Sequence, residues 1–213
     1  MPSGNVPWHD NHTIMNKYML AAAAGAALVS GAAMAQDFKE GDWLVRARVV
    51  HLDAANKNSN PAVPVSIDNK TLPEVDFSYF FSKNLAAELI LTVPQKQKVF
   101  VGSTQIGSLK HLPPTLTLQY HFDAPGFKPY VGAGINYTRF SSVNLLGGAA
   151  TVDRNSWGGA LQVGVDIPVA KNMYFNIDVK KVYIKTDVKA GGTTLTTFKV
   201  DPLLVGVGLG WKF

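Results

Sequence analysis

The stretch that decides the fold is LLVGVGLGWKF, residues 203–213. Each odd-numbered position in it carries a large apolar side chain, and the even-numbered positions after Leu204 carry only glycine or Lys212. A β-strand places successive side chains on opposite faces, so this alternation predicts a strand with one broad apolar face and one face of small or polar groups. Together with the aromatic residue Phe213 at the end, the pattern indicates the closing strand of a membrane barrel.

The composition fits one domain of 213 residues with no cysteine, which excludes disulfides and thiolate metal sites within this sequence. The net charge of +5 comes from scattered lysines and arginines rather than from a basic run. We therefore expect no nucleic-acid partner.

The first 35 residues have the features of an export signal. A basic start at 15–17, a short alanine-rich apolar core and the Ala33-Met34-Ala35 site together predict a cleavable signal peptide. Residues 1–14 are interpreted as an upstream extension before a true start at Met15. We predict a mature domain over residues 36–213.

Seven further segments alternate with period two, which makes eight predicted strands. They are residues 43–52, 73–81, 85–93, 115–122, 131–138, 157–167, 175–180 and 203–213. After Lys181 the apolar residues Val182 and Ile184 fall on the polar face, which a bulge or a strand rising above the bilayer would explain.

The connections alternate in length. Short links at 82–84, 123–126 and 169–172 alternate with long ones at 53–70, 95–113, 141–155 and 187–197. This predicts an all-β fold, an eight-stranded antiparallel up-and-down transmembrane barrel. Its short turns and both termini would be periplasmic and its long loops extracellular.

The larger apolar face is predicted to point outward to lipid, because a narrow eight-stranded interior has room only for the smaller, polar face. Charges of both signs would then pair inside. They are Arg46, Arg48, Glu74, Asp76, Glu88, Asp166, Asp178 and Lys180. Aromatic residues are predicted to form two girdles, a lower one of Trp43, Tyr79, Phe81, Tyr120, Phe122, Tyr130, Trp211 and Phe213 and an upper one of Tyr137, Phe140, Trp157 and Tyr183.

Several motifs resemble the OmpW family of outer-membrane proteins. They are GDWLVRARVV at 41–50, IGSLKHLPPTLTLQYHF at 106–122, KPYVGAGINYT at 128–138, NIDVK at 176–180, VDP at 200–202 and the terminal WKF. The resemblance implies a barrel that lets small hydrophobic molecules enter a narrow apolar funnel and leave sideways into the bilayer. It also implies that Phe213 is an assembly signal read by the barrel-assembly machinery. The first loop and residues 95–105 depart from the family pattern, so the cargo preference stays open.

Three sets of residues are candidates for this transport. An apolar vestibule would comprise Ile90, Val99, Phe100, Ile106, Leu109, Leu145, Leu146 and Leu204; a lateral gate would comprise Pro94, Pro113 and Pro114; and a polar plug in the lumen would comprise Arg46, Arg48, Glu74, Asp76, Glu88, His121 and Lys180. The alternative for the loop residues is that they merely pack the loops together.

No catalytic, cofactor or metal site is predicted. Asp76, Ser78 and His121 could form a lumenal triad, but a hydrogen-bonding role for His121 is favoured, and the histidines lack metal-ligand spacing. We predict a passive porter that is not an enzyme, with outer-membrane lipid, lipopolysaccharide and apolar solutes as partners. The alternatives are a structural or adhesion barrel, a lipid-modifying enzyme and a small-ion channel.

Overall fold

Fifteen strands of one antiparallel sheet make up almost all of the computed structural model, which describes residues 37–213. The predicted signal peptide lies outside these residues. In chain order the strands are β1 (Trp43–Asp53), β2 (Lys57–Asn58), β3 (Val65–Ile67), β4 (Lys70–Phe80), β5 (Leu85–Thr92), β6 (Gln95–Val101), β7 (Thr104–Leu112), β8 (Thr115–His121), β9 (Lys128–Leu145), β10 (Ala150–Val152), β11 (Asn155–Ala170), β12 (Met173–Val182), β13 (Lys185–Ala190), β14 (Thr193–Lys199) and β15 (Leu203–Lys212). A 3-10 turn spans Leu146–Gly148, and no helix in the described range is long and apolar enough to cross a membrane.

Eight of these strands close into a barrel. Their order around the wall is β11, β12, β15, β1, β4, β5, β8 and β9, and β9 pairs with β11 to complete the circle. The predicted eight-stranded antiparallel up-and-down barrel is confirmed. The described chain starts and finishes at the end with the short turns, where the Trp43 N–H donates to the carbonyl of Phe213 over 3.2 Å.

The opposite end of the barrel is extended by seven additional strands. The segments expected to be long loops are largely strand: β6 and β7 form one hairpin and β13 and β14 another, while β3 pairs with β6 and β2 with β14. The loop prediction is therefore corrected. These segments carry alternating buried side chains, so pairing satisfies their backbone groups while continuing the barrel wall upward.

The interior of the barrel is layered, as the inward residues of β1 illustrate. Leu44, Arg46, Arg48, Val50 and Leu52 follow one another upward and are all buried. The lowest layer, the aromatic floor, contains Phe38, Leu44, Phe80, Ala86 and Tyr174. Above it lies a charged layer, the ionic layer, formed by Arg46, Arg48, Glu74, Asp76, Glu88, Asp166, Asp178 and Lys180. The top layer is apolar and continues into the extension.

The apolar top layer accounts for the irregularity at the end of β12. Val182 and Ile184 are buried in the interior cluster, and β12 pairs with β15 without a register shift. The alternative of a bulge is therefore wrong. The strand keeps its period of two, and the interior face changes from polar to apolar as the chain rises.

The outward face is apolar, and aromatic pairs mark its two ends. Trp43 contacts Tyr79 at 5.1 Å between ring centroids near the short turns, and Tyr137 contacts Trp157 at 4.8 Å near the extension. Tyr130 and Phe140 were expected in these girdles but are buried inside. Tyr130 shares the inward parity of Gly132 and Gly134, and Phe140 lines the apolar interior.

Candidate functional site

The apolar top layer encloses a cavity, here called the apolar chamber, whose wall continues onto the strands of the extension. The space between its lining atoms is about 900 Å³, including the part open to solvent. Most lining side chains are aliphatic, and polar residues are concentrated near its floor and on one wall. Of the predicted vestibule residues, the structure places five in this wall: Ile90, Val99, Leu109, Leu145 and Leu204.

The other three predicted vestibule residues do not line the chamber, which corrects that part of the prediction. Phe100 directly follows the inward-facing Val99, so the alternation of the strand points its side chain away from the cavity. The register shift between Val99 and Phe100 leaves Ile106 unpaired, and its side chain packs against the apolar cluster without reaching the cavity. Leu146 opens the 3-10 turn with a φ of 50° and is exposed.

Sequence analysis missed most of the chamber wall. The missed aliphatic and aromatic members are Leu52, Val65, Ile67, Leu72, Phe140, Val152, Val182, Ile184, Val188, Phe198 and Val200. The members on the barrel strands could have been found by continuing the alternation of inward and outward residues beyond the ends of the predicted strands. Those on β3, β10, β13 and β14 depend on strands that were taken for loops.

Below the chamber, Arg46 is the centre of the ionic layer. Its guanidinium group contacts Asp166 at 3.0 and 2.7 Å in a bidentate pair and also donates to Asp76 over 2.9 Å and to Ser78 over 2.9 Å. Glu88 lies 3.3 Å from the same group. All of these side chains are buried, so the arginine has exchanged water for protein oxygens on every side.

Arg48 and Lys180 continue the layer toward the chamber. Arg48 lies 3.1 Å from Glu74 and 2.8 Å from Glu88, and Lys180 lies 2.6 Å from Glu74 and 2.8 Å from Asp178. The layer thus combines three basic groups with five acidic ones, which leaves it formally negative. Asp166 and Asp178 were predicted to be buried charges but were not assigned to the plug.

Neutral groups fill the space between the charges. Gln119 and Gln162 donate to Glu88 and Asp178 over 2.8 and 2.7 Å, and the Tyr130 hydroxyl donates to Asp178 over 2.7 Å. A Cβ on Gly164 would approach the Tyr130 ring to 2.4 Å, so this ring occupies the space that the missing side chain leaves. The cross-section at this height is closed by side chains.

His121 lies below the ionic layer, which corrects its place in the predicted plug. Its ring contacts those of Phe38, Phe80 and Tyr130 at 5.4, 4.9 and 5.0 Å between centroids, and its Nε2 lies 3.1 Å from the Gln119 side-chain oxygen. Asp76 and Ser78 both accept from Arg46 instead. Asp76, Ser78 and His121 therefore do not form the lumenal triad considered above.

The three predicted gate prolines lie at a break in the wall. β5 pairs with β8 up to Ile90 and Thr115, and β6 pairs with β7 from Gln95 and His111 onward. Between these pairs, the stretches containing Pro94 on one side and Pro113 and Pro114 on the other have no ladder pairing with each other. We call this break the seam. The Pro114 carbonyl accepts from Tyr137, so the seam lies at the height of the upper girdle.

The seam lies between the chamber and the outer face of the barrel. Thr92, Gln95 and Pro113 line the chamber, while Val93 is exposed on the outer face. His111, directly above the seam, also lines the chamber and lies beyond the membrane-spanning strands. Burial, and secondarily Lys70, lowers the pKa of His111 to about 4. Residues 37–213 contain no cluster of three histidine or acidic side chains that could hold a metal ion.

The sequence matches the profile described as the OmpW family over residues 39–213. The chain belongs to the OmpW family. Among its relatives, the uncharacterized outer-membrane protein y4mB of Sinorhizobium fredii is 41% identical over 80% of both chains. The dibenzothiophene metabolism operon protein PahQ of Pseudomonas aeruginosa is 34% identical over 68% of this chain and 72% of its own.

Two solved structures of outer-membrane proteins have a fold similar to that of this chain. The outer membrane protein OprG of Pseudomonas aeruginosa superposes with a TM-score of 0.74 at 27% identity, covering 83% of this chain and 98% of OprG. The structure of outer membrane protein AlkL in lipid bilayers gives a TM-score of 0.65 at 26% identity, covering 86% of this chain and 95% of AlkL.

These findings confirm the predicted location. The protein is a bacterial outer-membrane barrel, and the family is non-enzymatic, in agreement with the prediction that the chain is not an enzyme. Because short turns of such barrels face the periplasm, the extension faces the cell exterior.

Proposed function

We propose that this OmpW-family barrel is a passive porter for small hydrophobic molecules. A solute enters the apolar chamber from outside, is stopped at the ionic layer, and leaves through the seam into the bilayer. The observation that carries the proposal is the direct stacking of an open apolar cavity on a closed, charged layer. No reaction is involved.

The ionic layer supports lateral rather than vertical exit. An apolar solute passing downward would have to separate buried ion pairs such as Arg46–Asp166, and breaking a buried pair costs about 3–5 kcal/mol. The seam requires no ladder hydrogen bonds to be broken, because none join its two edges. The lower-energy route for an apolar molecule is therefore sideways.

The names of relatives support the class of cargo. PahQ is named for an operon of dibenzothiophene metabolism, and dibenzothiophene is a flat, apolar aromatic compound. The chamber, with mostly aliphatic walls, is suited to such a molecule. Its natural cargo here is proposed only as a class, small hydrophobic molecules.

Blocking the chamber tests the entry step. Leu109 lines the chamber and Leu146 does not, so Leu109→Trp and Leu146→Trp form a matched pair. Each variant is expressed in a strain that lacks the gene, and the uptake of a radiolabelled alkane or polycyclic aromatic is measured. We expect the strain with Leu109→Trp to take up the solute at least tenfold more slowly than the strain with Leu146→Trp. Equal rates for both variants and the unmodified protein would contradict the entry route.

Closing the seam tests the exit step. The sequence has no cysteine, so Val93→Cys with Leu112→Cys introduces the only two thiols, one on each edge. A short bifunctional thiol reagent should abolish uptake, and a cleavable version should restore it on reduction. The single variants treated alike are the control. Undiminished uptake in the cross-linked double variant would rule out lateral release.

Two alternatives give different results. A structural or adhesion barrel would show no difference in uptake between the deletion strain and the complemented one. A small-ion channel would give a steady current proportional to salt in planar bilayers; the filled ionic layer predicts none.

We also propose a contact with phosphorylated lipid, the lipopolysaccharide of the outer leaflet. Lys57, Lys199 and Lys185 lie side by side on three paired strands, all exposed and without an ion pair among the described residues. Like charges directly opposite each other are destabilising unless an anion neutralises them. Lys185 and Lys199 adjoin Trp157 and Tyr183 just above the girdle. Their replacement by glutamine should lower the stability only in bilayers that contain lipopolysaccharide.

A further inference from the structure

His111 differs from the other polar groups that line the apolar chamber. Near it, the Gln95 amide donates to the Val93 carbonyl over 2.6 Å, and the Thr115 hydroxyl donates to the Pro113 carbonyl over 3.2 Å. The Asn136 amide donates to Thr115 over 2.8 Å and to the carbonyls of Pro113 and Pro114. These side chains hold the edges of the seam and are occupied.

The imidazole of His111 has no such partner. It is 4% exposed and lines the chamber, and its ring makes no hydrogen bond or ion pair with any residue in 37–213. Its one ring contact is with Phe140, at 6.4 Å between centroids. A neutral imidazole has a donor and an acceptor nitrogen, and without a protein partner among the described residues both are free to bond a polar group that enters the chamber.

The position of His111 fits a ligand rather than a structural role. It is in register with Gln95 on β6 and with Phe140 on β9, directly above the seam. A solute whose polar group reached this ring would keep its apolar part in the chamber. Its polar group would lie just above the upper girdle, close to the level at which a membrane amphiphile places its head group when it enters the bilayer.

We infer that His111 is the anchor for one neutral hydrogen-bonding group on an otherwise apolar cargo, so that the preferred solutes are neutral amphiphiles such as alcohols, ketones or phenols. This rests on the proposed function, since it assigns a polar end to the solute that the chamber takes up. A carboxylate is disfavoured because Lys180, the basic group at the chamber floor, is already paired with Glu74 at 2.6 Å, and the ionic layer beneath carries five acidic groups against three basic ones. Any ion would also lose its hydration in the chamber.

The test compares 1-decanol, decane and decanoate as probes in lipid bilayers that contain the full-length mature protein. With ¹⁵N-labelled histidine, 1-decanol should shift the imidazole resonances of His111, whereas decane should not. His51, exposed on the outer face, and His121, below the ionic layer, are internal controls that should not move. This measurement needs no variant and so does not depend on one folding.

A binding series gives the size of the effect. Methyl resonances of Val99 and Leu109 report occupation of the chamber by either solute. His111→Leu should raise the half-saturating 1-decanol about fivefold, the effect of one net hydrogen bond, and change that of decane less than twofold. His51→Leu is the matched control and should change neither. Decanoate should not saturate the chamber in any of these proteins.

The outcomes separate this inference from the proposed function. If neither decane nor 1-decanol shifts the chamber methyls, the porter proposal fails. If both shift the methyls but the His111 nitrogens respond alike to the two solutes, or His111→Leu leaves the 1-decanol affinity unchanged, the anchor role is overturned while the porter stands.

Discussion

Replacing Arg46 by methionine should destabilise the barrel more than any change on its surface. The guanidinium group carries the bidentate pair with Asp166 at 3.0 and 2.7 Å and further contacts with Asp76, Ser78 and Glu88. Methionine fills a similar volume but leaves three buried carboxylates without this cation. Removing one partner of a buried ion pair typically costs about 3–5 kcal/mol, and we expect a loss of free energy of unfolding in that range.

Equilibrium unfolding in urea, with the protein in lipid vesicles and followed by tryptophan fluorescence, measures this loss. Arg139→Met is the matched control, because Arg139 is exposed and has no ion pair among the described residues; it should cost less than about 0.5 kcal/mol. The second variant, Arg46→Lys, keeps the charge and should fall between them, since lysine lacks the planar fork.

A double-mutant cycle isolates the central pair. Asp166→Asn alone removes one excess negative charge and one of the two acceptor oxygens that Arg46 contacts, and combined with Arg46→Met it should show a coupling of about 0.5–3 kcal/mol. If Arg46→Met costs no more than Arg139→Met, or the coupling is zero, the ionic layer does not close the barrel in the way we have argued.

Three further predictions concern other parts of the barrel. Gly164→Ala should displace the Tyr130 ring and its 2.7 Å bond to Asp178 and cost about 1–3 kcal/mol, whereas Gly159→Ala, whose new Cβ would meet nothing closer than 3.8 Å, should be nearly neutral in the same urea assay. Burial lowers the pKa of His111 from 6.5 to about 4, so between these pH values the unfolded chain binds a proton that the folded protein does not, and the stability falls as the pH drops through this range. His111→Gln should reduce this fall, by about 1.4 kcal/mol for each unit of pKa difference. Urea unfolding midpoints measured from pH 7.5 to 4 would show the reduction. Phe213→Ala should lower the yield of assembled barrel in the outer membrane without changing the urea midpoint, since this side chain is 75% exposed, and a yield equal to that of Phe127→Ala would argue against an assembly signal.

The strands and their inward faces could be predicted from the sequence because both are local properties. Alternation with period two can be seen within one segment without knowledge of its partners, and in 203–213 it already separates the lipid face from the lumen. The excess of large apolar residues on one face then decides the orientation, because a narrow barrel cannot hold them inside. The same reasoning placed Arg46 and Arg48 in the interior.

What the sequence could not decide are the contacts between residues far apart in the chain. Arg46 and Asp166 are 120 positions apart, and only closure of the sheet makes them a bidentate pair. Where the interior itself turned apolar, Val182 gave the same signal as a bulge, and the chamber wall on the extension was hidden in apparent loops. The lack of a partner for His111 is likewise a property of its surroundings, since a buried polar group is satisfied or left free by residues that the local sequence does not contain.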